Sequence, residues 1–118
     1  MKKRTDSADI YFRFLKLAEA LRGLPSLPGL EPVEERILEL VAKAGNDKVR
    51  LSVRDVMAHD NLGSPATIHA RLKSLREKGW VVLADTEDAR RKQVELSRAA
   101  RAYFSKLSRC IVDAAQKA

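Results

Sequence analysis

Apolar residues recur every three or four positions in several stretches of the chain, a spacing that predicts amphipathic helices. The first predicted helix covers residues 7–22, and a second begins at Pro32, because proline suits a position that needs no backbone donor. The intervening residues 24–29 are rich in proline and predict an irregular connector. The chain therefore begins with an amphipathic arm that is joined to a second helix, which ends near residues 45–46.

The middle of the chain predicts two closely spaced helices. Residues 49–51 are long enough only for a short strand, and Ser52 with Asp55 then resembles a capping box that opens a short helix reaching about His59. After a turn at residues 61–63, Ser64 and Pro65 mark a second helix start. The inward stripe of that helix ends at Gly79 and consists of Ile68, Leu72 and Leu75.

A hairpin and a last helix complete the predicted order. Residues 80–83 and 93–96 predict two strands around a charged loop at residues 85–92. Ser97 caps a final helix whose apolar face contains Tyr103, Leu107, Cys110, Ile111 and Ala114. A tight helix-turn-helix followed by a two-stranded hairpin is the winged-helix plan. The predicted fold is mainly α with a small β-hairpin, flanked by N- and C-terminal dimerisation helices.

The composition limits the classes of function that the chain can have. The 118 residues carry a formal charge of +7, which favours a polyanionic partner. The single cysteine excludes an internal disulfide, and with His59 and His69 it supplies too few ligands for a structural zinc site. We expect a cytoplasmic protein without a membrane segment, a cofactor, a metal or an enzymatic activity, because no nucleophile or metal cluster is present.

The second helix of the pair, over residues 64–78, is the candidate recognition helix. Residues 64–80 contain four basic side chains against one glutamate, and the outward face carries small residues that allow close approach to DNA. An arginine there can bind guanine bidentately, and a threonine can meet a thymine methyl group. The expected DNA contacts on this helix are Ser64, Pro65, Thr67, His69, Ala70, Arg71, Lys73 and Ser74.

The hairpin loop places acidic residues before three consecutive cations. An arginine at a loop tip can enter a narrow minor groove, where the potential is most negative. Asp88 lies close enough in sequence to brace Arg90 or Arg91 by a hydrogen bond. The expected DNA contacts in this loop are Asp88, Arg90, Arg91 and Lys92.

The residues at the end of the candidate recognition helix and in the loop resemble the winged-helix core of the MarR family of bacterial regulators. The family pattern has a leucine and a glycine ending the recognition helix, an Asp-x-Arg in the wing, and Leu-Thr before the next helix. The matching residues here are Leu75, Gly79, Asp88, Arg90, Leu96 and Ser97. The resemblance covers about residues 30–102 and implies a dimer built from terminal helices, with Arg90 in the minor groove. Ala70 stands where the family often has arginine, and the chain is shorter than typical members.

The predicted organisation is an arm at 1–30, a DNA-binding core at 31–97 and a dimerisation helix at 98–118. The two terminal helices carry more apolar surface than one small winged helix can cover, which predicts a homodimer. The expected dimer contacts are Ile10, Phe14, Leu17, Leu21, Leu107 and Ile111. Cys110 on the same face is interpreted as a small buried hydrophobe, with a redox switch as the alternative.

Three functions fit this sequence. The first is a DNA-binding transcriptional regulator, most simply a repressor, that binds double-stranded DNA as a homodimer. The second is a winged-helix module that docks another protein, with its basic charge incidental. The third is a sensor whose small-molecule effector lies between the terminal helices and the core. The clustering of cations on the recognition helix and the wing favours the first.

Overall fold

The computed structural model describes residues 7–22, 27–87 and 90–116, which are mostly helical with one two-stranded antiparallel hairpin. The helices are α1 Ser7–Arg22, α2 Pro32–Asn46, α3 Val53–Met57, α4 Pro65–Glu77 and α5 Arg98–Gln116. The strands are β1 Val81–Asp85 and β2 Lys92–Leu96, and a 3-10 turn covers Asp60–Leu62. The predicted winged-helix plan is confirmed.

The structure corrects two predictions between α2 and α4. Residues 49–51 do not form a strand, and Ser52 makes only an isolated bridge with Gln93. The pairing stops there because Ser52 is already the N-cap of α3, where its side chain accepts a hydrogen bond from the backbone N–H of Asp55 at 3.1 Å. Helix α3 ends at Met57, before the predicted limit, and the chain then turns into the short 3-10 segment.

Helix α4 forms as its sequence predicts. The Ser64 hydroxyl accepts a hydrogen bond from the backbone N–H of Thr67 at 3.2 Å, and Pro65 occupies the first turn. The apolar stripe faces the core, where its members Ile68, Leu72 and Leu75 are at most 4% exposed. These interactions fix both where α4 begins and which of its faces points outward.

The core around α4 belongs to the compact unit Leu27–Ala100. Helix α2 packs against α4 and β2, and α3 packs against α4. The buried apolar side chains contributed by the other elements of this unit are Ile37, Leu38, Val41, Leu51, Val56, Leu62, Trp80, Val81, Val94 and Ala100. Several elements therefore hold α4 in a defined orientation.

The hairpin follows α4 after a tight turn at Gly79, whose φ of +88° favours glycine. The strands pair from Val81 opposite Leu96 to Asp85 opposite Lys92. Beyond β2, the Ser97 hydroxyl accepts a hydrogen bond from the backbone N–H of Ala100 at 3.0 Å and donates one to the Gly79 carbonyl at 2.6 Å. The predicted cap of the last helix is therefore confirmed, and it also ties that helix to the turn.

The described residues outside that unit, 7–22 and 101–116, belong to a second compact unit. In it the Arg13 side chain donates a hydrogen bond to the Ala114 carbonyl at 2.8 Å, and Ala18 and Ala114 are buried. The division of the chain into a DNA-binding core and dimerisation segments stays a prediction. In the described ranges no helix is long and apolar enough to cross a membrane.

Candidate nucleic-acid interface

The outer face of α4 is an exposed surface made mainly of small side chains. Ala66 and Ala70 leave the helix backbone accessible, and Lys73 adds a positive charge beside them. The predicted contact residues that the structure places on the exposed surface are Ser64, Pro65, Thr67, His69, Ala70 and Lys73. Small side chains permit close approach of another molecule, and a lysine suits a phosphate, so this surface is compatible with a nucleic-acid groove.

The prediction that Arg71 and Ser74 share this outer face needs correction. Both are only half-exposed, because they lie on the side of α4 that turns towards α2. The Arg71 guanidinium forms an ion pair with Glu31, and its Nη1 lies 3.9 Å from Oε2 of Glu34. A role for either residue in DNA binding stays a prediction, but α2 already supplies polar partners for this side of the helix.

Glu34 is the centre of this inward polar cluster and is fully buried, at 0% exposure. Its Oε1 accepts hydrogen bonds from Lys78 Nζ at 2.7 Å and from the backbone N–H of Glu31 at 2.8 Å. Burial alone would raise the pKa of this carboxyl. The Glu31 N–H and the side chains of Lys78 and Ser74 together lower it by more than burial raises it, so the net shift of the pKa is downward. The buried carboxylate therefore stays charged and binds the C-terminal end of α4 to α2.

Sequence reasoning missed this cluster, although the spacing carried a signal. Glu34, Ile37, Leu38 and Val41 fall at helical spacing on the face of α2 that the structure buries. A glutamate on an otherwise apolar stripe predicts a buried charge, and a buried charge requires a partner. That partner, Lys78, lies 44 positions away in the chain. Its identity follows only from the packing of α2 against α4.

The wing, meaning β1, β2 and the loop between them, presents several cations. Arg90 and Arg91 are exposed near its tip, while Lys92 pairs with Asp85 across the base of the loop. The Thr86 hydroxyl donates a hydrogen bond to the carbonyl of Arg91 at 2.8 Å, which braces the loop. Asp88, the predicted brace, lies outside the described residues, so its role stays a prediction.

An open cleft between the wing and α3 extends the basic surface. Its lining includes Arg50, Arg91 and Lys92, together with the carboxylate of Asp55. Hydrogen bonds from the backbone and the hydroxyl of Ser52 lower the pKa of Asp55, and the charge of Arg91 adds to that effect. Glu87 also lines the cleft, so three cations face two carboxylates and the lining keeps an excess of one positive charge. That excess is compatible with an anionic group such as a phosphate.

The terminal helices expose apolar side chains. Of the predicted dimer contacts, Ile111 is 55% exposed, and the half-buried ones are Ile10, Phe14, Leu17, Leu21 and Leu107. Further large apolar side chains that are exposed on α1 and α5 are Tyr11, Phe12 and Val112. Cys110 is half-buried, so the expectation that it is a buried hydrophobe is too strong for the single chain.

Comparisons with known proteins give a match by structure alone. No family model matches the sequence, and no curated protein matches it. Staphylococcus aureus MepR bound to ethidium bromide superimposes with a TM-score of 0.66 at 16% identity, over 92% of this chain and 74% of that chain. A MepR variant bound to an oligodeoxyribonucleotide gives a TM-score of 0.60 at 16% identity, over 94% and 74% of the two chains.

A MarR-like transcriptional regulator from Thermotoga maritima also matches, with a TM-score of 0.58 at 16% identity, over 97% of this chain and 81% of that chain. The chain therefore has the winged-helix fold of MarR-like transcriptional regulators, and the resemblance inferred from the sequence is confirmed at the level of fold. Within the described ranges, no group of three or more side chains is arranged to hold a metal ion.

Proposed function

We propose that this chain is a sequence-specific transcriptional regulator that binds double-stranded DNA as a homodimer, with α4 in the major groove and the wing in the minor groove. The observation that carries the proposal is the exposed face of α4, where small side chains adjoin Lys73. The wing follows directly after this helix and presents Arg90 and Arg91. The structural similarity to a MepR variant bound to an oligodeoxyribonucleotide supports DNA as the partner.

The residues of α4 divide between base contacts and phosphate contacts. Thr67 suits a thymine methyl group, and Ala70 lets the helix approach the base edges closely. Arg71 would bind a guanine after leaving its carboxylate partner, whereas Lys73 would bind a phosphate without regard to sequence. The remaining expected contacts on this helix are Ser64, Pro65, His69 and Ser74.

In the wing, Arg90 is the residue that we propose for the minor groove. An arginine suits a narrow groove better than a lysine, because guanidinium is more weakly hydrated and loses less on leaving water. Arg91 and Lys92 would contact the phosphates on either side, and Asp88 would orient one of the two arginines. Bound over a promoter, such a protein excludes other proteins from the same DNA, so we expect repression.

The homodimer would use the exposed apolar side chains of α1 and α5. Burial of these side chains against a second copy removes apolar surface from water, which favours association. Sedimentation at tens of micromolar should show a dimer for the wild type and a monomer for Ile111→Glu. Val82→Glu is the matched control, because Val82 is 44% exposed and belongs to β1 rather than to α1 or α5. A monomeric wild type would contradict the proposed assembly.

A small-molecule effector is a second element of the proposal. MepR in its complex with ethidium bromide has the same fold, which makes this cation a suitable first probe. Ethidium that binds the chain and lowers its affinity for DNA would support a ligand-responsive regulator. Ethidium binding without an effect on DNA affinity, or no binding at all, would leave a regulator that this ligand does not control.

The test of the proposed function is selection from a pool of randomised duplex DNA, followed by sequencing of the retained fraction. We expect an enriched motif with two half-sites about one helical turn apart, as a two-fold dimer requires. Retention without an enriched motif would indicate non-specific binding. A pool that is not retained at all would overturn the proposal and favour a winged-helix module that binds another protein.

A further inference from the structure

Arg71 lies between two carboxylates of α2. Its guanidinium pairs with Oε2 of Glu31, and its Nη1 is 3.9 Å from Oε2 of the buried Glu34. That Glu34 oxygen is itself buried and makes no well-formed hydrogen bond with any described residue. The side chain of Arg71 is therefore drawn towards α2 and away from the outer face of α4.

The two carboxylates differ in how firmly they are bound to the structure. The Glu34 side chain is inaccessible to solvent and binds Lys78, whereas the Glu31 side chain is 59% exposed. The Arg71 side chain is 33% exposed. Exposed ion pairs are weak, because water competes with both partners. The Arg71–Glu31 pair can consequently break at little cost, while the Glu34–Lys78 pair remains.

The backbone conformation at the start of α2 places the Glu31 carboxylate next to Arg71. Glu31 is the N-cap of α2 and has an extended backbone with φ −82° and ψ 159°. Its N–H is held by Oε1 of Glu34 at 2.8 Å. The Glu31 backbone is thus fixed by the same buried residue that organises the polar side of α4, whereas the pair with Arg71 involves the exposed carboxylate of Glu31.

We propose that Glu31 sets the DNA affinity of α4 by competing with DNA for Arg71. Without DNA, the guanidinium is neutralised by Glu31. On a binding site, a guanine edge or a phosphate must replace that carboxylate, so the energy of the ion pair is subtracted from the energy of binding. This inference rests on the proposed function, and it assigns to Glu31 a positioning role that acts through Arg71.

The test compares Glu31→Gln with Glu35→Gln, using the duplex selected from the randomised pool. Both changes remove one negative charge near the start of α2, but among the described residues Glu35 forms no ion pair. We expect Glu31→Gln to tighten binding about twofold to fivefold, the range that weak exposed ion pairs support. Glu35→Gln should produce a smaller change that reflects net charge alone.

The same two changes in an Arg71→Ala background show whether the effect passes through Arg71. In that background the two variants should bind the duplex equally well, because the competition no longer exists. The inference would be overturned if Glu31→Gln and Glu35→Gln, each with Arg71 present, bound the duplex with equal affinity. It would also be overturned if Glu31→Gln bound more weakly than the wild type. Loss of DNA binding by every protein, including the wild type, would instead contradict the proposed function.

A second substitution guards against an effect on the start of α2. Glu31→Ser removes the carboxylate but supplies a residue that is favoured at helix N-caps. It should tighten DNA binding as Glu31→Gln does, and chemical unfolding of both variants should show that α2 is intact. Tighter binding by Glu31→Gln without any gain by Glu31→Ser would assign the effect to the glutamine side chain and contradict competition for Arg71.

Discussion

Two ion pairs in the Leu27–Ala100 unit join a lysine to a carboxylate but differ in how deeply the carboxylate is buried. Glu34 and Lys78 meet between α2 and α4, where the glutamate side chain is 0% exposed. Asp85 and Lys92 meet at the base of the wing, where the aspartate side chain is 83% exposed. The first pair holds two helices together, whereas the second is open to competition from water and dissolved ions.

This difference changes how many cations the proposed DNA interface can offer. The charges of Arg71 and Lys78 are directed towards carboxylates at the start of α2. The exposed cations on α4 are Lys73 and Arg76. In the wing, an exposed pair gives up its lysine easily, so Lys92 can turn to a phosphate. The charge of a DNA-binding surface therefore depends on which cations are paired internally and on how deeply those pairs are buried.

The largest effect should follow removal of the buried carboxylate. Glu34→Ala leaves Lys78 half-buried without its partner and opens a cavity, so we expect it to cost about 3–5 kcal/mol of unfolding free energy. Asp85→Ala, which removes the exposed carboxylate, should leave the denaturation midpoint unchanged. Chemical denaturation of both variants measures the difference. If the two variants lost the same unfolding free energy, burial would not explain a difference between the two pairs.

A smaller effect should follow a change at Gly79, which lies between the two regions. Its φ is +88°, and an added Cβ would come within 3.3 Å of the Leu27 side chain. Gly79→Ala should therefore cost about 1–3 kcal/mol, mainly through backbone strain. Gly45→Ala is the matched control, because no atom lies within 4 Å of the position that its Cβ would take. A Gly45→Ala variant that loses as much stability as Gly79→Ala would contradict this account.

The smallest effect concerns the pH dependence of stability. Burial raises the pKa of Glu34, but its hydrogen bonds and Lys78 bring it below the ordinary value of 4.5. A carboxyl with a lowered pKa in the folded state stabilises the fold above its unfolded pKa. That contribution is lost as the pH falls through the folded pKa. The wild type should lose stability as the pH falls below about 4.5, and Glu34→Gln should lose less. Parallel curves would contradict the assignment.

Much of the framework could be predicted from local sequence. Ser64 and Pro65 fixed the start of α4, and Ile68, Leu72 and Leu75 fixed its buried face, because caps and periodic apolar residues act within a few positions. Ser97 marked the last helix in the same way. Helix α3 was predicted as too long and residues 49–51 as a strand, since short elements depend on tertiary pairing.

The polar side of the candidate site could be predicted only in part. The spacing of Arg71 to the apolar stripe predicted the outward face of α4, but the side chain turns towards α2. Its ion-pair partner lies 40 residues earlier in the chain. Nothing local to Arg71 indicates Glu31, because the contact depends on how α2 packs against α4. Helical periodicity assigns a residue to a face, whereas the partner on that face is decided by the tertiary fold.

The most direct test of DNA recognition is a comparison of dissociation constants for the selected duplex and a shuffled duplex of the same composition, at several salt concentrations. We predict that the selected duplex binds at least about 1,000-fold more tightly at physiological salt, the lower end for specific regulators. Affinity for both should fall as salt rises, because bound cations release counterions from the phosphates. Equal affinity for the two duplexes at every salt concentration would contradict sequence-specific recognition by α4 and the wing.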